Sequence, residues 1–242
     1  MVAIHTTSFT TTNVILDLYS SPPSAGFVEA LREECNRVFA NYGGSWTGDA
    51  ASKLYRIDST VKESMRFSSF GMVGMTRRVS ASDGLDLEGN VHIPQGIRLG
   101  IPVAQIHCDE AYYPSATTYD AFRFSRAYEK SNGITSKVNG STAEQSDPPT
   151  KFQEREDLAD RKHQQQQRIP LTRGGGTFLA FGTGKHSCPG RFFAAHEMKL
   201  MLAYLVQHYD VEYMPKRPAQ SHFMEVKMPA KSTTIRIRKR QP

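Results

Sequence analysis

Cysteine is scarce in this chain. Only Cys35, Cys108 and Cys188 occur in 242 residues, and their wide, irregular spacing excludes a disulfide framework. A reducing compartment is the simpler setting. No apolar run reaches the roughly 20 residues of a membrane-spanning helix, and no charged-then-apolar secretory leader opens the chain. Internal repeats and heptads are missing too, which excludes solenoids and coiled coils. Charge is not one-sided: 30 Lys and Arg face 24 Asp and Glu, for a net +6, too mild by itself to imply nucleic acid or an anionic membrane. What remains is an ordinary globular composition, 38% hydrophobic and 22% charged, with chain enough for one good-sized core or two small ones.

The first residues run directly into what reads as the middle of a helix, so an N-terminal part is expected to precede them. Residues 2–19 mix Thr6, Thr7, Thr10, Thr11 and Thr12 with Val14, Ile15, Leu16, Leu18 and Tyr19. Threonine is a poor helix former, so the stretch reads as a strand or as an amphipathic helix needing tertiary support. The break at Ser20-Ser21-Pro22-Pro23-Ser24 starts a helix over 24–41, with Phe27, Val28, Leu31, Val38 and Phe39 among charges. Gly43-Gly44-Ser45 stops it. A second helix over 50–66 carries Leu54, Ile57, Val61 and Met65 as one stripe, and Glu63 and Arg66 share a face three residues apart.

From Gly71 to Ile106 the texture changes to short β-branched segments. Turn signals at Asp83-Gly84, Glu88-Gly89-Asn90 and Ile93-Pro94-Gln95-Gly96 predict a small, mostly antiparallel sheet. The aromatics Tyr112, Tyr113, Tyr119, Phe122, Phe124 and Tyr128 predict an ordered, packed loop over 107–128. Residues 130–170 are polar, with Gln164–Gln167 at their centre; apolar groups there are too few to offset ordering entropy, and a mobile insertion is expected. A helix over 190–208, with Phe193, Met201, Leu202, Leu205 and Val206 near one side, and a strand over Thr233–Arg238 complete the pattern. The isoleucines that alternate with Arg236 and Arg238 mark the wet face of a strand rather than a nucleic-acid patch. The fold class is α+β, mainly α-helical.

One string stands out: Phe181-Gly182-Thr183-Gly184-Lys185-His186-Ser187-Cys188-Pro189-Gly190. A glycine-punctuated turn delivers one cysteine to the mouth of a helix. Backbone N–H groups and the positive helix end suit a thiolate, and glycines admit a flat cofactor close to the backbone. A lone cysteine is most often a small buried hydrophobe, the reading kept for Cys35 and Cys108. Zinc would need further Cys or His ligands at fixed spacing, and His186 and His196 do not supply them.

The string resembles the haem-binding signature of cytochromes P450. Two further matches stand in the family's order. Glu63-Ser64-Met65-Arg66 resembles its Glu-x-x-Arg helix, and Tyr119 to Phe124, with Arg123 between aromatics, resembles its next arginine segment. The resemblance implies that Glu63, Arg66 and Arg123 form a buried charge triad behind the cysteine. It makes Cys188 the axial iron ligand of haem b and Phe181 the aromatic beside the thiolate. Gly182, Gly184 and Gly190 become part of the cofactor cradle, and His186 and Arg77 partners of the haem propionates, with Arg78 an adjacent competitor for Arg77. Ala3 to Thr7 resembles the distal segment over the haem, with Thr6 as the proton-orienting threonine; His5 stands where many members carry Asp or Glu.

The likeness covers nearly the whole chain but only the C-terminal half of the family's fold, so a fold truncated on the N-terminal side is expected. Residues 1–242 would be the haem-proximal portion, and 130–170 an insertion within it. The implied activity is haem-thiolate monooxygenation in fungal secondary metabolism, placing one oxygen atom of O2 into a small hydrophobic organic substrate. NADPH-cytochrome P450 reductase would be the electron donor, and no nucleic acid a partner. A full-length member would sit on the cytosolic face of the endoplasmic reticulum membrane through an N-terminal anchor, whereas this chain itself would be cytoplasmic. A non-catalytic remnant that binds haem poorly or not at all is the competing expectation.

Overall fold

The computed structural model describes residues 2–134 and 169–241. In chain order they form α1 (Val2–Tyr19), a 3-10 turn (Pro23–Ala25), α2 (Phe27–Asn41), α3 (Gly48–Ser52) and α4 (Tyr55–Phe67). Strands β1 (Gly74–Arg78), β2 (Leu85–Leu87), β3 (Val91–Ile93) and β4 (Arg98–Ile101) follow, then α5 (Val103–His107) and α6 (Arg126–Ser131). A second 3-10 turn (Gly184–His186) leads to α7 (Arg191–His208), β5 (Tyr209–Val211), β6 (Ser221–Phe223), β7 (Val226–Met228) and β8 (Ile237–Lys239). The α+β, mainly helical expectation holds, with the core where α1, α2 and α7 pack around α4.

The threonine-rich stretch is a helix. Ser8 Oγ donates to the Ile4 carbonyl at 2.7 Å and Thr12 Oγ1 to that of Ser8 at 2.8 Å, so these hydroxyls bond within their own helix. The tertiary support comes from Val14, Leu16, Leu18 and Tyr19, all buried. In α2, Phe27, Leu31, Val38 and Phe39 of the expected stripe are buried while Val28 is only half-buried, and Ala30, Cys35 and Glu34 are buried beside them.

The single helix expected over 50–66 is two. Thr47 caps α3 by accepting the Ala50 N–H at 3.1 Å, the chain turns at fully buried Leu54, and α4 starts afresh. Its N-terminus is capped from another helix: the Glu34 carboxylate accepts the N–H groups of Arg56 (2.8 and 3.0 Å) and Ile57 (3.0 Å), donors that a helix start cannot satisfy itself. Ten residues of α4 are buried, most of them polar.

The sheets are small, antiparallel and two-stranded: β1 with β4, β2 with β3, β5 with β8 and β6 with β7. The predicted sheet over Gly71–Ile106 is therefore two separate pairs. The last strand is shorter and later than the alternation over Thr233–Arg238 indicates. It pairs Ile237 with Val211 and Lys239 with Tyr209, and Asp210 draws Arg238 in at 3.2 Å.

α7 also departs from the expected one-sided pattern. Leu202 and Val206 are buried, together with Ala195, Met198 and Ala203, but Phe193 is 74% exposed and Met201 50%. Apolar residues run around this helix, so a stripe chosen by hydropathy alone mixes two faces. Between α1 and α7 lies a cavity of about 200 Å³ lined by Thr11, Val14, Ile15, Met198, Leu202 and Leu205, among others.

Nearly all of the expected insertion, residues 135–168, lies outside the described residues. Its two flanks are held by one helix. On the near side Arg56 of α4 binds Glu129 of α6 at 2.9 Å. On the far side Asp58 accepts the Leu171 N–H at 2.7 Å, and Lys62 Nζ lies 3.5 Å from the carbonyls of Ile169 and Pro170.

Burial raises the Glu34 pKa from its ordinary 4.5 to about 7, against the N–H groups of Arg56 and Ile57, which lower it. A folded pKa above the unfolded one contributes stability that is complete below about pH 4.5 and is lost as pH rises to about 7. Thermal melts across pH 4.5–8 should show this decline, at most about 3 kcal/mol from the shift, and Glu34→Gln should flatten it.

Candidate functional site

The site is built outward from the middle of α4. Glu63 is fully buried, as is Arg66 one turn later. Arg66 Nε and Nη2 each donate at 2.8 Å to the two oxygens of Glu63, a bidentate pair. Arg123 Nε donates at 3.0 Å to the same carboxylate, and the Asp120 N–H adds a bond at 3.1 Å. The remaining nitrogen of Arg66, Nη1, donates to the carbonyls of Ala116 (2.7 Å) and His107. Arg123 reaches those of Pro114 (2.6 Å) and Thr118 (3.0 Å). One carboxylate thus organises the aromatic-rich loop of residues 107–125, and Glu63, Arg66 and Arg123 do meet.

The cysteine loop follows from Leu171, Phe178 and Phe181, all buried in the main core. Gly182 (φ +68°) and Gly184 (φ +63°) take the left-handed conformation that favours glycine. Gly174 approaches the turn so closely that a Cβ there would lie 2.6 Å from the Gly182 carbonyl oxygen. The Cys188 N–H donates to the Phe181 carbonyl at 2.8 Å and closes the loop. α7 starts three residues later, at Arg191, behind Gly190. The Cys188 side chain is exposed, Cys35 is buried and Cys108 is intermediate. Burial pushes the Cys35 thiol well above its ordinary pKa, which leaves it unsuited to act as a thiolate.

The remaining expected residues surround this loop less tightly. His186 is exposed in the 3-10 turn, and Arg77 is exposed on β1, bonded only to the adjacent Thr76 carbonyl at 2.8 Å among the bonds described. His5 is exposed and Thr6 half-buried in the first turns of α1, with the His5 ring 6.1 Å from that of Phe9. The cavity that α1 shares with α7 is lined from Thr11 onward, beyond both of them. The β6–β7 hairpin carries Phe223 and Met224 exposed at its tip.

Sequence reasoning missed His107. It is fully buried at the end of α5, stacked on Phe178 with ring centres 5.6 Å apart. Its Nε2 accepts the Leu179 N–H at 2.9 Å, and its Nδ1 lies 2.6 Å from Ser69 Oγ. Burial, with Arg66 beside it, lowers its pKa to about 4, so the ring is neutral near pH 7. Asp58 and Lys62 were missed too. Asp58 binds Lys199 of α7 at 3.0 Å, and Lys62 lies 4.7 Å from the ring centres of both Phe124 and Phe178. Their charge placed them in solvent by habit, and the groups that answer them inside, Lys199, Leu171, Phe124 and Phe178, lie far away in sequence.

These residues fit a haem. Cys188 offers one exposed sulfur, and among the described residues no three His, Cys, Asp or Glu side chains converge to hold a metal ion. A single protein thiolate suits an iron whose ring supplies the other ligands. Gly190 has φ −82°, and a Cβ there would meet nothing within 4 Å. The polypeptide makes no demand for glycine at that point, whereas a flat ligand over the loop would.

An exposed cysteine on a glycine turn, backed by a buried carboxylate and two arginines, is the arrangement expected of a haem-thiolate protein. The cytochrome P450 family model matches residues 1–140 and 149–237, and the chain belongs to that family. It is 39% identical to the cytochrome P450 monooxygenase gloP of Glarea lozoyensis over 99% of this chain and 40% of that protein. It is 37% identical to okaG of Penicillium ochrochloron, again over 99% of this chain and 43% of the relative. For htyF of Aspergillus rugulosus the identity is 42%, over 87% of this chain and 27% of the relative. Each relative is named a cytochrome P450 monooxygenase and comes from a fungus, and the chain spans less than half the length of each. The family implies a haem cofactor.

Glu63→Gln would leave Arg66 and Arg123 buried without their counter-charge. A loss of about 3–5 kcal/mol is expected, read as a lower urea midpoint. Gly174→Ala should also lower the melting temperature, because its Cβ has no room beside Gly182.

Proposed function

We propose that the chain is the haem-proximal part of a haem-thiolate monooxygenase of fungal secondary metabolism. The reaction would insert one oxygen atom from O2 into an organic substrate, by C–H hydroxylation or epoxidation. The observation that carries this reading is the exposed Cys188, held at the end of a left-handed glycine turn by the Phe181 carbonyl. Haem b bound there would supply oxygen activation, chemistry that a thiolate ligand favours.

Cys188 would hold the iron, and Gly182, Gly184 and Gly190 would let the ring lie close to the backbone. Phe181 would wall the sulfur side. His186 and Arg77 have exposed side chains and would donate to the propionates. The Thr6 hydroxyl, with His5, would hold and move a proton for the reaction. NADPH-cytochrome P450 reductase would deliver electrons, and the substrate would be a small hydrophobic molecule. The cytosolic face of the endoplasmic reticulum membrane is the proposed location of a full-length molecule; among the described residues no helix is long and apolar enough to cross a membrane.

A second reading has its own observation. Phe192, Phe193, Met201 and Tyr204 of α7 are each at least half exposed, an apolar surface of the kind that is normally covered. It favours a remnant that takes up haem poorly.

Haem titration of the purified chain, followed by reduction under carbon monoxide, separates the two. A red-shifted haem-thiolate Soret band supports the enzyme reading, and Cys188→Ser should abolish that band while the far-UV circular dichroism is retained. A chain that takes up no haem sinks it in favour of the remnant.

A further inference from the structure

We infer that His107 is a positioning residue for the Cys188 loop, acting through the backbone of Leu179. The inference rests on the reading of Cys188 as the iron ligand. It goes beyond that reading by naming the side chain that couples the ligand's loop to the buried triad.

The hydrogen bonds around His107 allow one arrangement. The Leu179 N–H can only donate, so Nε2 must accept and carries no proton. In the neutral ring the proton then sits on Nδ1 and is donated to Ser69 Oγ, 2.6 Å away. That leaves the Ser69 hydroxyl proton for the Arg66 carbonyl at 2.9 Å. Every polar atom of the group is satisfied in this tautomer, and in this one alone.

The path to the cysteine is short. The His107 carbonyl accepts from Arg66, the arginine of the bidentate pair. Its ring holds Leu179, the Leu179 carbonyl holds the Gly182 N–H at 2.9 Å, and the Phe181 carbonyl holds the Cys188 N–H at 2.8 Å. The ring also lies nearly parallel to Phe178, at 12°, which fixes its plane. With Leu179 and Phe181 buried, the start of the turn cannot shift without breaking the bond to His107.

Two substitutions separate the two ring nitrogens. Asn places an amide nitrogen where Nδ1 was and keeps the Ser69 bond, whereas Gln places an oxygen where Nε2 was and keeps the Leu179 bond. Amide hydrogen exchange on the full chain, before haem is added, reads the result. In His107→Asn the amides of Leu179, Gly182 and Cys188 should exchange about tenfold faster, the size of one buried hydrogen bond. Those of Leu31 and Val38 in α2 should be unchanged, and His107→Gln should restore the loop.

Equal acceleration in the loop and in α2 would show global loosening and overturn the inference, as would wild-type exchange in both variants. Haem titration then adds a separate outcome. His107→Asn should give a smaller haem-thiolate fraction than His107→Gln. If the wild-type chain takes up no haem, the reading of Cys188 as ligand fails, while the exchange data still decide whether His107 holds the loop.

Discussion

A helix made largely of charged and hydroxylated side chains lies in the middle of this protein, and the rest of the fold is arranged to answer it. Burying an unpaired charge costs far more than any single contact returns. Glu63 is therefore met by Arg66, Arg123 and the Asp120 amide, Asp58 by Lys199 and the Leu171 amide, and Arg56 by Glu129. Lys62 stands against two aromatic rings. Near the end of the helix, Ser64 and Ser68 donate to Asp17, which also receives Arg217. Apart from Arg66, the answering groups come from outside the helix, from α1, the aromatic-rich loop, α6, the segment at Leu171, α7 and Arg217, so one helix fixes the positions of many other elements.

That arrangement explains why a cysteine can stand exposed and still be well placed. The loop carrying it is short of side-chain anchors of its own, with three of its residues glycine. Its position is inherited through backbone groups from Phe181, Leu179 and the residues packed on α4. Rigidity comes from the interior and access from the surface, the division of labour expected where a reactive atom must meet a ligand.

Much of this was legible in the sequence, for physical reasons that differ by element. α2 was read correctly because its apolar residues follow the helical period against a charged background. The triad was legible only through the family resemblance, since a glutamate three residues before an arginine is common on any helix, whereas the cysteine turn stood out because glycine has few other reasons to recur so closely. The burial of Asp58, Lys62 and Glu34 was not legible, since a charge in a helix is normally on the wet side and its partner lies far away in sequence. His107 was hidden for the same reason: its partners are Ser69 and Leu179, 38 and 72 residues distant. α7 misled by abundance, because its apolar residues outnumber those one face can hold.

The grip of α4 on both flanks of residues 135–168 has a consequence for chain length. Arg56 and Lys62 are six residues apart on one helix, about 9 Å along its axis, so the chain leaves and returns at nearly the same place. Closing a loop between fixed ends grows only logarithmically more costly with length, about 0.6 kcal/mol for each doubling. The stretch joining these two points is thus a place where insertions and deletions can accumulate without shifting the register of the turn that bears Cys188.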